Sequence, residues 1–107
     1  MNSRNKGKRG ERMWAEMLRQ NGWTEARRGQ QFAGGTDSPD VVAGPANTHA
    51  EVKFREQHDP WGSMDQAEKD AAMNTIPYVA MKKNNKRWLV VLRAEDFLKL
   101  MQEEARG

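Results

Sequence analysis

The sequence contains no cysteine, which excludes disulfide staples and thiolate zinc sites. Its two histidines, His49 and His58, are too few for a histidine-rich metal centre. No apolar run approaches the roughly 20 residues that span a bilayer. The basic start "MNSRNKGKRGERMW" leads into no apolar stretch of the kind a secretory signal carries. The expectation is therefore a cytoplasmic protein with no membrane partner. Apolar residues are themselves scarce, 36% against 31% charged in a chain of 107 residues. Such a chain is expected to form one domain over residues 1–107 with a modest core. A homodimer would bury apolar area that so small a core leaves over.

Charge is plentiful and lopsided. Eighteen basic and 15 acidic side chains give a net charge of only +3. Residues 1 to 28, however, carry eight basic residues against three acidic ones, and residues 95 to 104 carry four acids and one lysine. A basic side of this kind suits a polyanion, and nucleic acid is the commonest one in a cell. Arg4, Lys6, Lys8, Arg9, Arg27 and Arg28 are the candidate phosphate contacts, which would position a duplex without reading its bases. The plainer reading is a solvated, flexible basic segment at about residues 1–8. Lys82, Lys83, Lys86 and Arg87 would extend the track.

The apolar spacing of Met13, Trp14, Met17 and Leu18 predicts a helix from about Gly7 to Asn21, stopped by Asn21-Gly22. "WTEARR" reads as a strand, "GQQFAGGTDSP" as a glycine-rich loop and "DVVAG" as a short strand. In "HAEVKFRE", Ala50, Val52 and Phe54 alternate with Glu51, Lys53 and Arg55, the pattern of a strand with one apolar face. "SMDQAEKDAAMN" predicts a helix capped by Ser63, with Gln66 at capping-box spacing. "IPYVAMKK" and "KRWLVVL" predict a hairpin around Asn84-Asn85, with Pro77 at a strand start or edge. "AEDFLKLMQEEA" predicts a last amphipathic helix carrying Phe97, Leu98 and Met101. The expected order is α-β-β-β-α-β-β-α. Trp14 and Trp88 suit the core or a dimer surface. The segments "WLVVL" and "FLKLM" are candidates for that surface, with core the simpler reading for most of them.

Three charges draw attention: Asp40, Glu51 and Lys53. Paired strands would bring the two carboxylates together, a pair of oxygen ligands of the kind Mg²⁺ takes, with water in its remaining positions. Alternation puts Glu51 and Lys53 on one face, where the lysine could orient or help deprotonate an attacking water, or steady charge on a phosphate. The backbone carbonyl of Val52 lies between them as a further oxygen. The competing reading is three strand charges facing solvent. Asp37, three residues before Asp40, reads as a turn residue. His49 and His58 read as structural or surface groups.

"SPDVV" followed by "AEVKFRE" resembles the PD-(D/E)xK nuclease motif in order, spacing and strand context. "GKRGERMWAEMLRQNGW" resembles the first helix of the archaeal-type Holliday junction resolvases and their phage-encoded relatives, with Glu11 at that helix's glutamate. "EARRGQQFAGGTDSPD" resembles the arginine-bearing strand and small-residue loop of that family, and Gln66 in "MDQAEKDA" its later glutamine. The likeness runs from about Gly7 to Leu92. It departs at Gln30, Gln31 and Phe32, where the archaeal members have mainly glycine and serine.

The resemblance implies a restriction-endonuclease-like α/β fold, a mixed central sheet flanked by helices. It implies an Mg²⁺-dependent endonuclease, with Mn²⁺ able to substitute, acting as a symmetric dimer on four-way DNA junctions in recombination. Glu11, Asp40, Glu51 and Lys53 take the catalytic positions; Asp40, Glu51, the Val52 carbonyl and Glu11 would hold metal, and Gln66 joins the DNA contacts. A phage or prophage origin suits a stand-alone resolvase of this size. The alternatives are a nicking or repair endonuclease using the same residues, and a non-catalytic DNA-binding module of the same fold.

Overall fold

The computed structural model describes residues 3–29 and 38–106. The glycine-rich loop from Gln30 to Asp37, with Gln31 and Phe32, lies outside the described residues. The elements are α1 (Ser3–Gln20), β1 (Arg27–Arg28), β2 (Val41–Val42), β3 (Thr48–Phe54), α2 (Pro60–Asp70), β4 (Ile76–Lys82), β5 (Leu89–Val91) and α3 (Ala94–Arg106). That is the order read from the sequence. The five strands form one mixed sheet in chain order, antiparallel throughout except for the parallel pair β3–β4. The crossover between those two strands is α2, as a parallel connection requires.

The sheet is covered on both faces. Trp14, Ala15 and Leu18 of α1 pack on Ala50 and Val52 of β3 and Tyr78 and Ala80 of β4. Met64 and Ala67 of α2 pack on Val79 and Met81, the alternate residues of β4. Period-2 alternation thus sends the even-numbered residues of β3 and β4 towards α1 and the odd-numbered ones towards the α2 side. Trp14 donates its indole N–H to the Tyr78 hydroxyl at 2.9 Å, and the Trp88 ring lies tilted against it with centres 5.1 Å apart. Both tryptophans therefore belong to the core.

Three expectations about elements need correction. Helix α1 begins at Ser3, not about Gly7, so from Ser3 on the segment read as flexible is helical. Arginine and lysine are good helix formers, and one glycine costs only about 1 kcal/mol. Tertiary ties add to this: the Lys6 ammonium reaches Glu56 at 3.2 Å and lies 4.7 Å from the centre of the Phe54 ring. Helix α2 begins at Pro60, with Asp59 rather than Ser63 as its cap. The Asp59 carboxylate accepts the Gly62 amide at 3.0 Å, and proline at the first helical position lacks only an N–H that had no partner there.

The third correction concerns α3. None of its residues is buried; Phe97, Leu98 and Met101 are 46, 57 and 49% exposed. Arg93, just before it, is anchored to Asp65 and Glu68 of α2, but no residue of the helix that follows is buried. Its apolar stripe is surface, not core.

Candidate active site

Residues 43–47 reverse the chain between β2 and β3, with Ala43 and Asn47 at positive φ. The reversal pairs Val41 with Ala50 antiparallel. One residue earlier, the Asp40 amide donates to the Ala50 carbonyl at 2.8 Å, and Asp40 Oδ2 accepts the Val52 amide at 2.8 Å. Asp40 is thus held by backbone on the strand that carries Glu51. On its other side the Gly29 amide donates to the Asp40 carbonyl at 2.8 Å. A Cβ on Gly29 would stand 2.2 Å from the Pro39 carbonyl oxygen, so no side chain fits there.

Asp40 and Glu51 are buried, at 9 and 7% exposure, and close enough for the Glu51 carboxylate to act on the Asp40 carboxyl. The Asp40 carboxyl is pushed up to about 7, by burial first and then by the Glu51 charge. The Val52 amide opposes that rise, and the Glu11 charge adds the last contribution to it. Two acids held this close out of water cannot both be ionised cheaply unless a cation joins them. The polar face of β3 is therefore not a solvent face.

The remaining predicted residues fall into place unequally. Lys53 is half-buried on the same side of β3 as Glu51, two residues on, and makes no hydrogen bond or ion pair among the described residues. Glu11 sits on α1 over the opposite face and pairs with Arg28 at 2.9 Å; its charge reaches Asp40, but it makes no contact with Lys53. Arg28 is thereby engaged rather than free. Among the other candidate phosphate contacts, Arg4, Lys8, Arg9 and Arg27 are exposed, whereas Lys6 is bound to Glu56. Gln66 is exposed and donates to Asp70 at 2.9 Å; it makes no capping box. From Val52, the backbone group seen in the site is the amide.

His49 was missed as a site residue. It is 3% exposed, and its Nε2 lies 2.8 Å from Glu51 Oε1. The signal was present, because i and i+2 on a strand share a face, and His49, Glu51 and Lys53 continue one row. Among the described residues the ion-pair partner of Glu51 is this histidine, and Lys53 makes no ion pair.

A divalent cation fits this chemistry on one count and is limited on another. Asp40 and Glu51 offer adjoining carboxylates whose mutual repulsion a cation would relieve. Among the described residues, no group of three or more His, Cys, Asp or Glu side chains is gathered to hold a metal. Mg²⁺ binds through one or two carboxylates while keeping water, so the pair is a sufficient protein contribution.

No helix among the described residues is long and apolar enough to cross a membrane. No curated protein and no solved structure gives a significant match to the chain. The family model described as archaeal Holliday junction resolvase (Hjc) matches residues 2–105.

Proposed function

The chain belongs to the archaeal Holliday junction resolvase family, and from that premise we propose that it is a metal-dependent DNA endonuclease that cleaves four-way junctions. The observation that carries this reading is the burial of Asp40 and Glu51 close together, with Lys53 on the same face of β3 as Glu51 and in no ion pair among the described residues. Buried acids held close together weaken a fold unless they serve a bound cation or a reaction.

Asp40 and Glu51 would hold Mg²⁺ or Mn²⁺, with the Val52 carbonyl as a further oxygen. A bound divalent ion supplies charge neutralisation at the phosphate and acidifies its water. Lys53 places an ammonium beside the attacked phosphate, where it steadies the charge that develops as the bond breaks. His49 holds Glu51 by Oε1, so the Glu51 side chain keeps one orientation. Glu11 acts from the next layer, its charge balanced by Arg28 until DNA competes for that arginine.

Arg4, Lys8, Arg9 and Arg27 are the exposed cations for backbone phosphates, with Gln66 on α2 as a further contact. A symmetric dimer matches a junction that needs two cuts related by a two-fold axis. The apolar stripe of α3 supports such a dimer, because nothing among the described residues buries it. Work on DNA junctions implies an intracellular setting, and a phage or prophage recombination system is one that fits.

The experiment is cleavage of a labelled four-way junction beside a matched linear duplex, with Mg²⁺, for the wild type and Glu51→Ala. Paired symmetric cuts in the junction alone, lost in the variant, are expected. Equal cutting of both substrates would leave an endonuclease and remove junction selectivity. Tight binding without cutting in Mg²⁺ or Mn²⁺ would leave a DNA-binding module.

A further inference from the structure

Lys53 lies opposite Met81 across the parallel ladder, and Met81 lies opposite Leu89 across the next pair. Neighbouring residues of paired strands project from the same face. The row Lys53, Met81, Leu89 therefore runs from the proposed active site towards the β4–β5 hairpin. It leads into a cavity of about 480 Å³, inside the range of roughly 300–1,000 Å³ typical of small-molecule sites.

The cavity has an apolar floor of Pro60, Met81 and Leu89, and a rim that includes Lys83, Lys86 and Arg87. Leu89 is 68% exposed, an open apolar surface beside three cations. Among the described residues no acid forms an ion pair with any of the three. His58 closes one wall. Its Nε2–H donates to the Lys82 carbonyl at 3.0 Å, while its buried Nδ1 has no partner among the described residues. An apolar surface rimmed by cations that form no ion pair among the described residues matches a flat ring that carries a phosphate. That is the chemistry of a nucleotide.

Stacked bases in a duplex cannot reach such a floor. A base that has left the stack can, and leaving costs least where pairing is already interrupted. We infer that the hairpin cavity takes one unstacked nucleotide of the bound DNA, its base on Met81 and Leu89 and its phosphate among Lys83, Lys86 and Arg87. This rests on the endonuclease reading, which makes DNA the polymer lying along the row from Lys53.

Two measurements on the full chain test it. The first is NMR titration of chelator-treated protein with deoxyadenosine monophosphate and, separately, with inorganic phosphate. The nucleotide is expected to shift Met81, Leu89 and Lys83, and phosphate alone only the rim. Leu89→Asp, at a position exposed enough to leave the fold intact, should bind the nucleotide at least about tenfold more weakly, because it removes one apolar contact and sets a carboxylate against the phosphate. Identical shifts from phosphate alone, or nucleotide shifts confined to Asp40 and Lys53, would overturn the inference. So would a dimer that Leu89→Asp splits, since the floor would then be a subunit contact.

The second measurement uses a junction with 2-aminopurine at each branch position in turn. Fluorescence is expected to rise on binding at one position in the wild type and not in Leu89→Asp. A signal that never changes would give the cavity to free nucleotides and refute a DNA occupant. Junction cleavage in the same preparations separates the two readings. Cleavage with an empty cavity removes this inference alone, and an occupied cavity without cleavage removes the endonuclease.

Discussion

Val52 gives its backbone amide to Asp40 Oδ2 at 2.8 Å, so the carboxylate on the β2 side is fixed by the strand that bears Glu51 and Lys53. A backbone donor cannot swing away as a side chain can. The position of the Asp40 carboxylate is therefore tied to the sheet itself.

The burial of Asp40 beside Glu51 has a pH signature. The Asp40 carboxyl titrates at about 7 in the fold, against about 4 in an unfolded chain. Between those values the folded protein keeps a proton that the unfolded chain has released, so stability falls as pH rises through the window. In chelator-treated protein, Asp40→Asn should match the wild type near the bottom of that window. Above it, the variant should be more stable by about 1–3 kcal/mol. Urea midpoints below and above the window, with chelator, check this; a gap independent of pH would show that Asp40 is ionised throughout.

Lys53→Met keeps most of the length of the side chain and removes its charge. Turnover of a junction should fall by about 10²–10³, as when one preorganised charge is lost from a transition state. Junction affinity should stay within a few fold. Weaker binding with unchanged turnover would make Lys53 a phosphate anchor instead.

Gly7 and Gly10 share α1 but not their surroundings. A Cβ on Gly7 meets nothing within 4 Å, whereas one on Gly10 meets the Phe54 Cβ at 2.7 Å. Gly7→Ala should stabilise by about 1 kcal/mol through helix propensity. Gly10→Ala should destabilise by about 1–3 kcal/mol, because the helix must lift off β3. Thermal or urea melts of the two variants, expected to move in opposite directions, are the check.

Leu98→Glu puts a charge into the exposed stripe of α3. Sedimentation equilibrium should show a dimer for the wild type and a monomer for the variant, with the same helix content by circular dichroism. A wild-type monomer, or a variant dimer, would assign the stripe to something other than self-association.

Local chemistry decided what could be read in advance. The alternation of Ala50, Val52 and Phe54 identified β3, and the short reversal after Val42 made pairing with β2 the simple outcome. The helix starts were less legible. Ser63 with Gln66 imitates a capping box, but Asp59-Pro60 upstream caps and starts the same helix one turn earlier. The first turns of α1 depend on Glu56 and Phe54, some 50 residues away, which no local pattern records. Alternation also misled at Glu51: a charged strand face suggests water, yet α2 covers that side of the sheet and His49 fills the place beside the carboxylate. An amphipathic stripe such as that of α3 shows that a face wants cover, not which molecule supplies it.

The cations gathered around Phe54 fasten two distant parts of the chain into one piece. Lys6 and Arg9 come from the start of α1, and Lys82 from the end of β4. Glu56 completes the fastening, taking Lys6 and the Asn84 amide of the hairpin. The basic helix end and the basic hairpin are thereby held at a set span, and on the endonuclease reading DNA touching both would have to adopt its curvature. Bending a straight duplex of 20–30 base pairs costs about 1–6 kcal/mol, whereas a branched molecule already turns at its crossing. On the endonuclease reading, stiffness in the protein would discriminate between DNA shapes without a single base being read.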